Sequence, residues 1–179
     1  MKEEQNYWTQ RYQNQQTGWD IGYASTPIKE YVDQLKDKSI KILIPGAGNA
    51  YEAEYLWKKG FNNVHILDIS DVPLKKFKER NPDFPDAHIH KADFFKFQGQ
   101  YDLIIEQTFF CSFVPTHTKR KEYAKHMAEL LKPKGKLAGV WFDIPLTSDM
   151  EKRPFGGTKE LYSNFLNPFF ETITFDRCY

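Results

Sequence analysis

The chain is 179 residues long, enough for one domain with its own core and too short for two. Lys and Arg number 25 against 24 Asp and Glu, a formal charge of +1, so no single-sign field favours nucleic acid or a membrane surface as partner. With 2 cysteines lacking paired spacing, no secretory signal and no bilayer-length apolar run, a soluble, reduced, cytoplasmic protein is expected.

Residues 3–16 are polar and glutamine-rich, but Tyr7, Trp8, Arg11 and Tyr12 recur at helical spacing, which predicts an amphipathic helix with an aromatic edge. Thr17 to Gly22 follows as a turn-rich loop. Trp19, bulky and apolar between Gly18 and Asp20, fits a lid over a ligand better than a core position. Ser25 supplies an N-cap and Pro27 a first-turn proline for a helix reaching Leu35. Aromatics at 16% with a mean hydropathy of −0.66 put many rings among polar residues, some of them expected in a ligand pocket.

Lys41 to Ser70 organises the rest. Lys41–Ile44 is a short apolar strand, Pro45-Gly46-Ala47-Gly48-Asn49 breaks it, and Tyr51 to Lys59 has helical spacing up to Gly60. Val64 to Leu67 is a second strand, closed by Asp68. Glycines let the backbone turn tightly and approach a ligand, and an acid about 20 residues further on can accept hydrogen bonds from a ribose diol. Gly46 and Asp68 have that separation, so the stretch reads as a nucleoside site. Tyr51 stands where a dinucleotide fingerprint has its third glycine, and Glu52 and Glu54 would set negative charge against a pyrophosphate at the helix start. That argues against NAD. A nucleoside with a cationic amino acid portion and no phosphate would tolerate such a turn, and S-adenosylmethionine fits that description. The same glutamates would also simply favour the helix dipole.

Beyond Asp68 the pattern predicts a helix over 72–80 ended by Asn81-Pro82, then a short third strand over 87–91 leading to Asp93 and Phe94. Tyr101 to Glu106 is a fourth strand, nearly continuous in apolar character as buried parallel strands are. Residues 108–115 form a loop rich in phenylalanine, a helix over 119–132 is stopped by Pro133, and Lys136 to Phe142 is the next strand. Residues 148–157 read as a loop, Thr158 caps a helix to Leu166, and 170–175 reads as a last strand. His88 and His90, alternating on the third strand, are expected at the surface. This alternation demands an α/β fold with a doubly wound, mostly parallel sheet, whose ligands bind beyond the carboxyl ends of the strands. Gly46, Asp68, Asp93 and Glu106 all fall there.

The combination Trp8, Tyr12, Thr17-Gly18-Trp19-Asp20, Ile44-Pro45-Gly46-Ala47-Gly48-Asn49, Leu67-Asp68-Ile69-Ser70 and Glu106-Gln107-Thr108-Phe109-Phe110-Cys111 resembles the thiopurine S-methyltransferase family, and within it the halide and thiol methyltransferase branch. The motifs run in the family's order from residue 8 to about 166. The resemblance implies a Rossmann-like class I methyltransferase with S-adenosylmethionine as cofactor: one domain over 1–179, with an N-terminal helical lid region at 1–37 and the Rossmann-like core at 38–179. It assigns Trp8, Tyr12 and Trp19 as aromatic walls around the cofactor, Gly46 to its methionine part and Asp68 to its ribose hydroxyls. Asp93 and Phe94 are assigned to the adenine, and Glu106 lies near the amino acid end. Gln107, Phe109, Phe110 and Cys111 are assigned to the substrate pocket. Thiopurine-specific members have an arginine directly after the acid that ends the fourth strand. Gln107 stands there instead, which implies a smaller, more apolar acceptor pocket. Segment 115–120 is slightly longer than the family's pattern, which leaves Arg120 unassigned. With one candidate strand after Leu161, the usual terminal antiparallel strand is missing, through either a shortened sheet or a truncated chain.

Methyl transfer from a sulfonium is an in-line displacement, so the protein's task is positioning and desolvation, and an anionic nucleophile needs no general base. No catalytic acid or base and no metal ligand is therefore expected. Cys111, among phenylalanines and with no base nearby in sequence, reads as a pocket or core residue rather than a nucleophile. The expected activity is methylation of a small-molecule substrate, a thiol, bisulfide or halide, in preference to a thiopurine. The alternatives are an NAD-dependent oxidoreductase and a non-catalytic domain that binds S-adenosylmethionine for interaction purposes.

Overall fold

The computed structural model describes residues 2–144 and 153–178. Its strands are β1 (Ile42–Pro45), β2 (Val64–Asp68), β3 (Ile89–Lys91), β4 (Tyr101–Gln107) and β5 (Leu131–Val140). They form one parallel sheet in the order β3-β2-β1-β4-β5. Ile42 of β1 pairs with Val64 on one side and Leu103 on the other. From β1 the chain winds outward through β2 and β3, then returns to the other side of β1 as β4. Adjacent strands whose connections leave in opposite directions open a crevice between their carboxyl ends, here past Pro45 and Gln107.

The helices are α1 (Lys2–Gln13), α2 (Thr26–Asp33), α3 (Tyr51–Lys58), α4 (Asp71–Arg80), α5 (His117–Glu129) and α6 (Lys159–Leu166). Three start on hydroxyl caps: Ser70 accepts from Val72 N, Thr116 from Lys119 N and Thr158 from Leu161 N. Each such cap contributes about 1 kcal/mol by satisfying an otherwise unpaired amide. Alternation along the strands splits the core in two. Ile42, Ile44, Val64, Ile66 and Ile105 meet Ile28 and Val32 of α2, Leu56 of α3 and Phe77 of α4. On the other face, Leu43, Leu67 and Ile104 meet Tyr123 and Met127 of α5 and Tyr162 of α6. Of the two N-terminal helices, α2 packs into the core through Ile28 and Val32, whereas α1 adds no residue to either cluster.

Three expectations are corrected. The helix read over 119–132 ends at Glu129, and Leu131 and Pro133 already belong to β5. Leu131 pairs with Tyr101, after which the ladder jumps to Lys136 opposite Leu103, with Lys134 at φ 66 in the bulge between. Proline is tolerated there because bulges and edge strands need no ladder donor. The last strand expected over 170–175 is irregular chain. Phe170 and Phe175, five positions apart, both pack on the α5–α6 side of the sheet, which a strand of period 2 cannot achieve. His88 and His90 are not plain surface residues. His65 stacks on them at ring distances of 4.1 and 5.3 Å, and its Nδ1 lies 3.0 Å from His90 Nε2. The loop expected over 148–157 falls partly outside the described residues, which resume at Arg153.

Candidate active site

A cavity of about 740 Å³ opens at the crevice, within the range of small-molecule sites. Trp8, Tyr12 and Trp19 line it from above, Gly46, Asp68, Asp93, Phe94 and Gln107 from the strand ends, and Phe109 and Cys111 from the turn after β4. Gly46 holds φ +58, and a β-carbon on it would run into the Phe109 ring. Gly48 holds φ +53, and a β-carbon there would stand 2.6 Å from the Tyr12 hydroxyl. Both positions combine a left-handed backbone with close approach, which only glycine meets without strain.

That turn delivers one backbone amide to the acid at the end of β2, and the start of α4 delivers a second. Asp68 Oδ2 accepts from Gly48 N and Oδ1 from Ser70 N, each at 2.9 Å. Burial nevertheless raises its pKa to about 6, because desolvation outweighs the bonds. Asp93 accepts from Phe95 N at 3.1 Å and so also caps the turn that carries Phe94.

The upper wall is an aromatic stack. Trp19 meets Trp8 edge-on at 5.4 Å and Tyr12 at 6.0 Å, and it is 40% exposed, so it does not plug the core. Thr9 Oγ1 lies 3.0 Å from Ser70 Oγ, tying α1 to the start of α4. Asp20 accepts from the Asn49 amide, tying the Trp19 loop to the glycine turn.

Strand alternation separates two neighbours in β4. Gln107 faces the cavity, its Oε1 accepting from Ser25 Oγ at 2.7 Å. Glu106 points the other way and does not line the cavity. It is fully buried, its Oε1 accepts from Phe110 N at 2.7 Å, and its Oε2 has no partner among the described residues. Burial raises its pKa to about 8, so the group is mostly a neutral acid near pH 7. Phe110 also turns inward, against Tyr123 at 4.7 Å and Tyr162 at 5.2 Å. Glu106 thus holds the turn Phe109–Ser112 that presents Phe109 and Cys111. The Cys111 thiol donates to Thr108 O at 2.6 Å, and burial pushes its pKa up to about 12, so it is protonated and no nucleophile.

The acids at the start of α3 are also engaged elsewhere. Glu52 is buried and accepts from Ser25 N, while Glu54 pairs with Lys58 and Arg80, and neither lines the cavity. The expected clash with a pyrophosphate therefore does not come from their side chains. Arg120, unassigned from sequence, is buried outside the cavity and donates from Nη2 to Gly156 O at 2.9 Å. Arg153 was missed. It lines the cavity from the loop before α6, where nothing in local sequence pattern marks a residue as facing β4.

A doubly wound parallel sheet, a glycine turn bonded to the acid of β2 and an aromatic cavity at the crevice define a class I methyltransferase that uses S-adenosylmethionine. The sequence model of the family described as Thiopurine S-methyltransferase (TPMT) matches residues 3–174, and the chain belongs to that family. It is 28% identical over 173 residues to the probable thiol methyltransferase 2 of Arabidopsis thaliana, covering 93% of this chain and 74% of that protein. It is 29% identical over 170 residues to thiocyanate methyltransferase 1 of Brassica oleracea, covering 92% and 73%. Among solved structures, a Burkholderia thailandensis 1,6-didemethyltoxoflavin-N1-methyltransferase shares the fold with a TM-score of 0.74 at 13% identity, over 92% of this chain and 74% of that one.

Proposed function

We propose that the acceptor is a small soft anion, such as a thiolate, bisulfide, thiocyanate or halide, taken in preference to a thiopurine. The observation that carries this reading is the wall beside β4. Phe109, Phe113 and Cys111 line it, and the Gln107 amide already bonds Ser25. Such a wall strips water from an anion and leaves it more reactive. The names of the two plant relatives point the same way.

The residues present fit the cofactor. Asp68 would take the ribose hydroxyls, Asp93 and Phe94 the adenine, and Gly46 the methionine part. Trp8, Tyr12 and Trp19 would close over it. When bound, S-adenosylmethionine supplies an electrophilic methyl group on a sulfonium. The aromatic faces attract that cation by about 0.5–2 kcal/mol each. No proton needs to move when the acceptor is already anionic, which suits a cavity whose thiol is protonated and whose Glu106 is turned away. No helix among the described residues is long and apolar enough to cross a membrane, and Cys111 and Cys178 are both free, which supports a reducing, cytoplasmic setting.

Calorimetry with S-adenosylhomocysteine and with NAD, followed by turnover on bisulfide and thiocyanate, tests the reading. Binding of the first ligand only, with methylated product, is expected. A thiopurine methylated with a higher kcat/KM than either small anion would overturn the acceptor reading.

A further inference from the structure

Arg153 stands where α1, the turn after β4 and the loop before α6 converge. Its Nη2 donates to Glu4 Oε1 at 2.8 Å and its Nε to Ser112 O at 2.5 Å. The guanidinium lies 4.3 Å from the Tyr7 ring centre and 5.5 Å from that of Trp8. Its side chain is only 13% exposed, yet the residue lines the cavity. The other cation on that side, Lys119, is 39% exposed and pairs with Glu122 at the rim. Arg120 turns to Gly156 and is outside the cavity.

A permanently charged, largely desolvated guanidinium at the acceptor side serves anions, because charge-assisted hydrogen bonds strengthen as water is excluded. Its one acidic partner among the described residues, Glu4, is 40% exposed and sits on the first turn of α1, so water can take over the carboxylate when it is displaced. We propose that Arg153 is the anion-docking residue of the acceptor pocket, with Glu4 as a resident counter-ion that an anionic acceptor replaces. This rests on the small-anion reading and adds the residue that selects for charge. The contact with Ser112 O fixes the guanidinium next to the turn that carries Cys111, so the exchange takes place at the apolar wall.

The experiment compares wild type, Arg153→Gln, Arg153→Lys and Glu4→Gln in thiocyanate kinetics and in calorimetric titration of thiocyanate into protein saturated with S-adenosylhomocysteine. Arg153→Gln is expected to raise KM for thiocyanate and weaken its binding about tenfold. S-adenosylhomocysteine affinity should stay within about twofold, which also reports an intact fold. Arg153→Lys should recover part of the loss. Glu4→Gln should move KM in the opposite direction, downward, because the competing charge is gone. Equal thiocyanate affinity in wild type and Arg153→Gln, including none in either, overturns the proposal. So does a common loss of S-adenosylhomocysteine and thiocyanate binding in both the Arg153→Gln and Glu4→Gln proteins, which would make the pair only a clasp on α1. Arg153-dependent thiocyanate binding without methyl transfer would support docking while refuting the acceptor reading.

Discussion

Asp68 serves the fold and the ligand with the same carboxyl group. Its Oδ2 orders the glycine turn through Gly48 N and its Oδ1 the start of α4 through Ser70 N, and the group still faces the cavity. Asp68→Ala should cost S-adenosylhomocysteine about 1.5–3 kcal/mol of binding through lost charge-assisted bonds, and unchanged affinity would remove the ribose assignment. Glu106 is the opposite case, a carboxyl with no exposure to the ligand and a pKa raised from its ordinary 4.5 to about 8. The folded state holds that proton more tightly than the unfolded chain does. Its contribution to stability is therefore complete below pH 4.5 and is lost as pH rises towards 8, by up to about 1.4 kcal/mol per unit. Glu106→Gln should flatten this part of the profile. Urea melts of both proteins at pH 5 and pH 8 check it, and an identical loss in wild type and variant would contradict the burial argument.

At the scale of elements, α1 buries only Tyr12 and, with the Trp19 loop, is otherwise attached by few and polar links. Thr9 reaches Ser70, Asp20 reaches Asn49, and Arg153 reaches Glu4, whereas α2 buries Ile28 and Val32 in the core. Segments with sparse apolar burial open at low free energy and are the ones ligands can order. Amide exchange in residues 3–22 should therefore slow on S-adenosylhomocysteine binding, while exchange in β1 and β4 stays slow throughout. Exchange already slow without ligand and unaltered by it would show that α1 is no lid. Thr158 was legible as a cap because it stands directly before its helix, whereas Ser25, read as a cap for α2, makes no side-chain cap bond and gives its hydroxyl to Gln107 instead. The final segment was misread because Phe170 and Phe175 advertise burial, and burial does not require a backbone partner.

At the scale of the molecule, the site is a product of strand order. The reversal between β1 and β4 brings Gly46 and Gln107 to one crevice, and the acid of β2 follows from its place beside β1. Sequence spacing could expose Gly46 and Asp68 because one βαβ unit contains both. It could not tell Glu106 from Gln107, whose side chains part by the register of β4, nor reveal Arg153, which reaches the cavity only through tertiary packing. The account as a whole stands on an apolar acceptor wall that favours small anions over a heterocycle. Side-by-side kinetics with S-adenosylmethionine on thiocyanate, bisulfide, iodide and a thiopurine test it most directly. The account predicts a higher kcat/KM for at least one small anion than for the thiopurine, and a thiopurine that outperforms every small anion would contradict it.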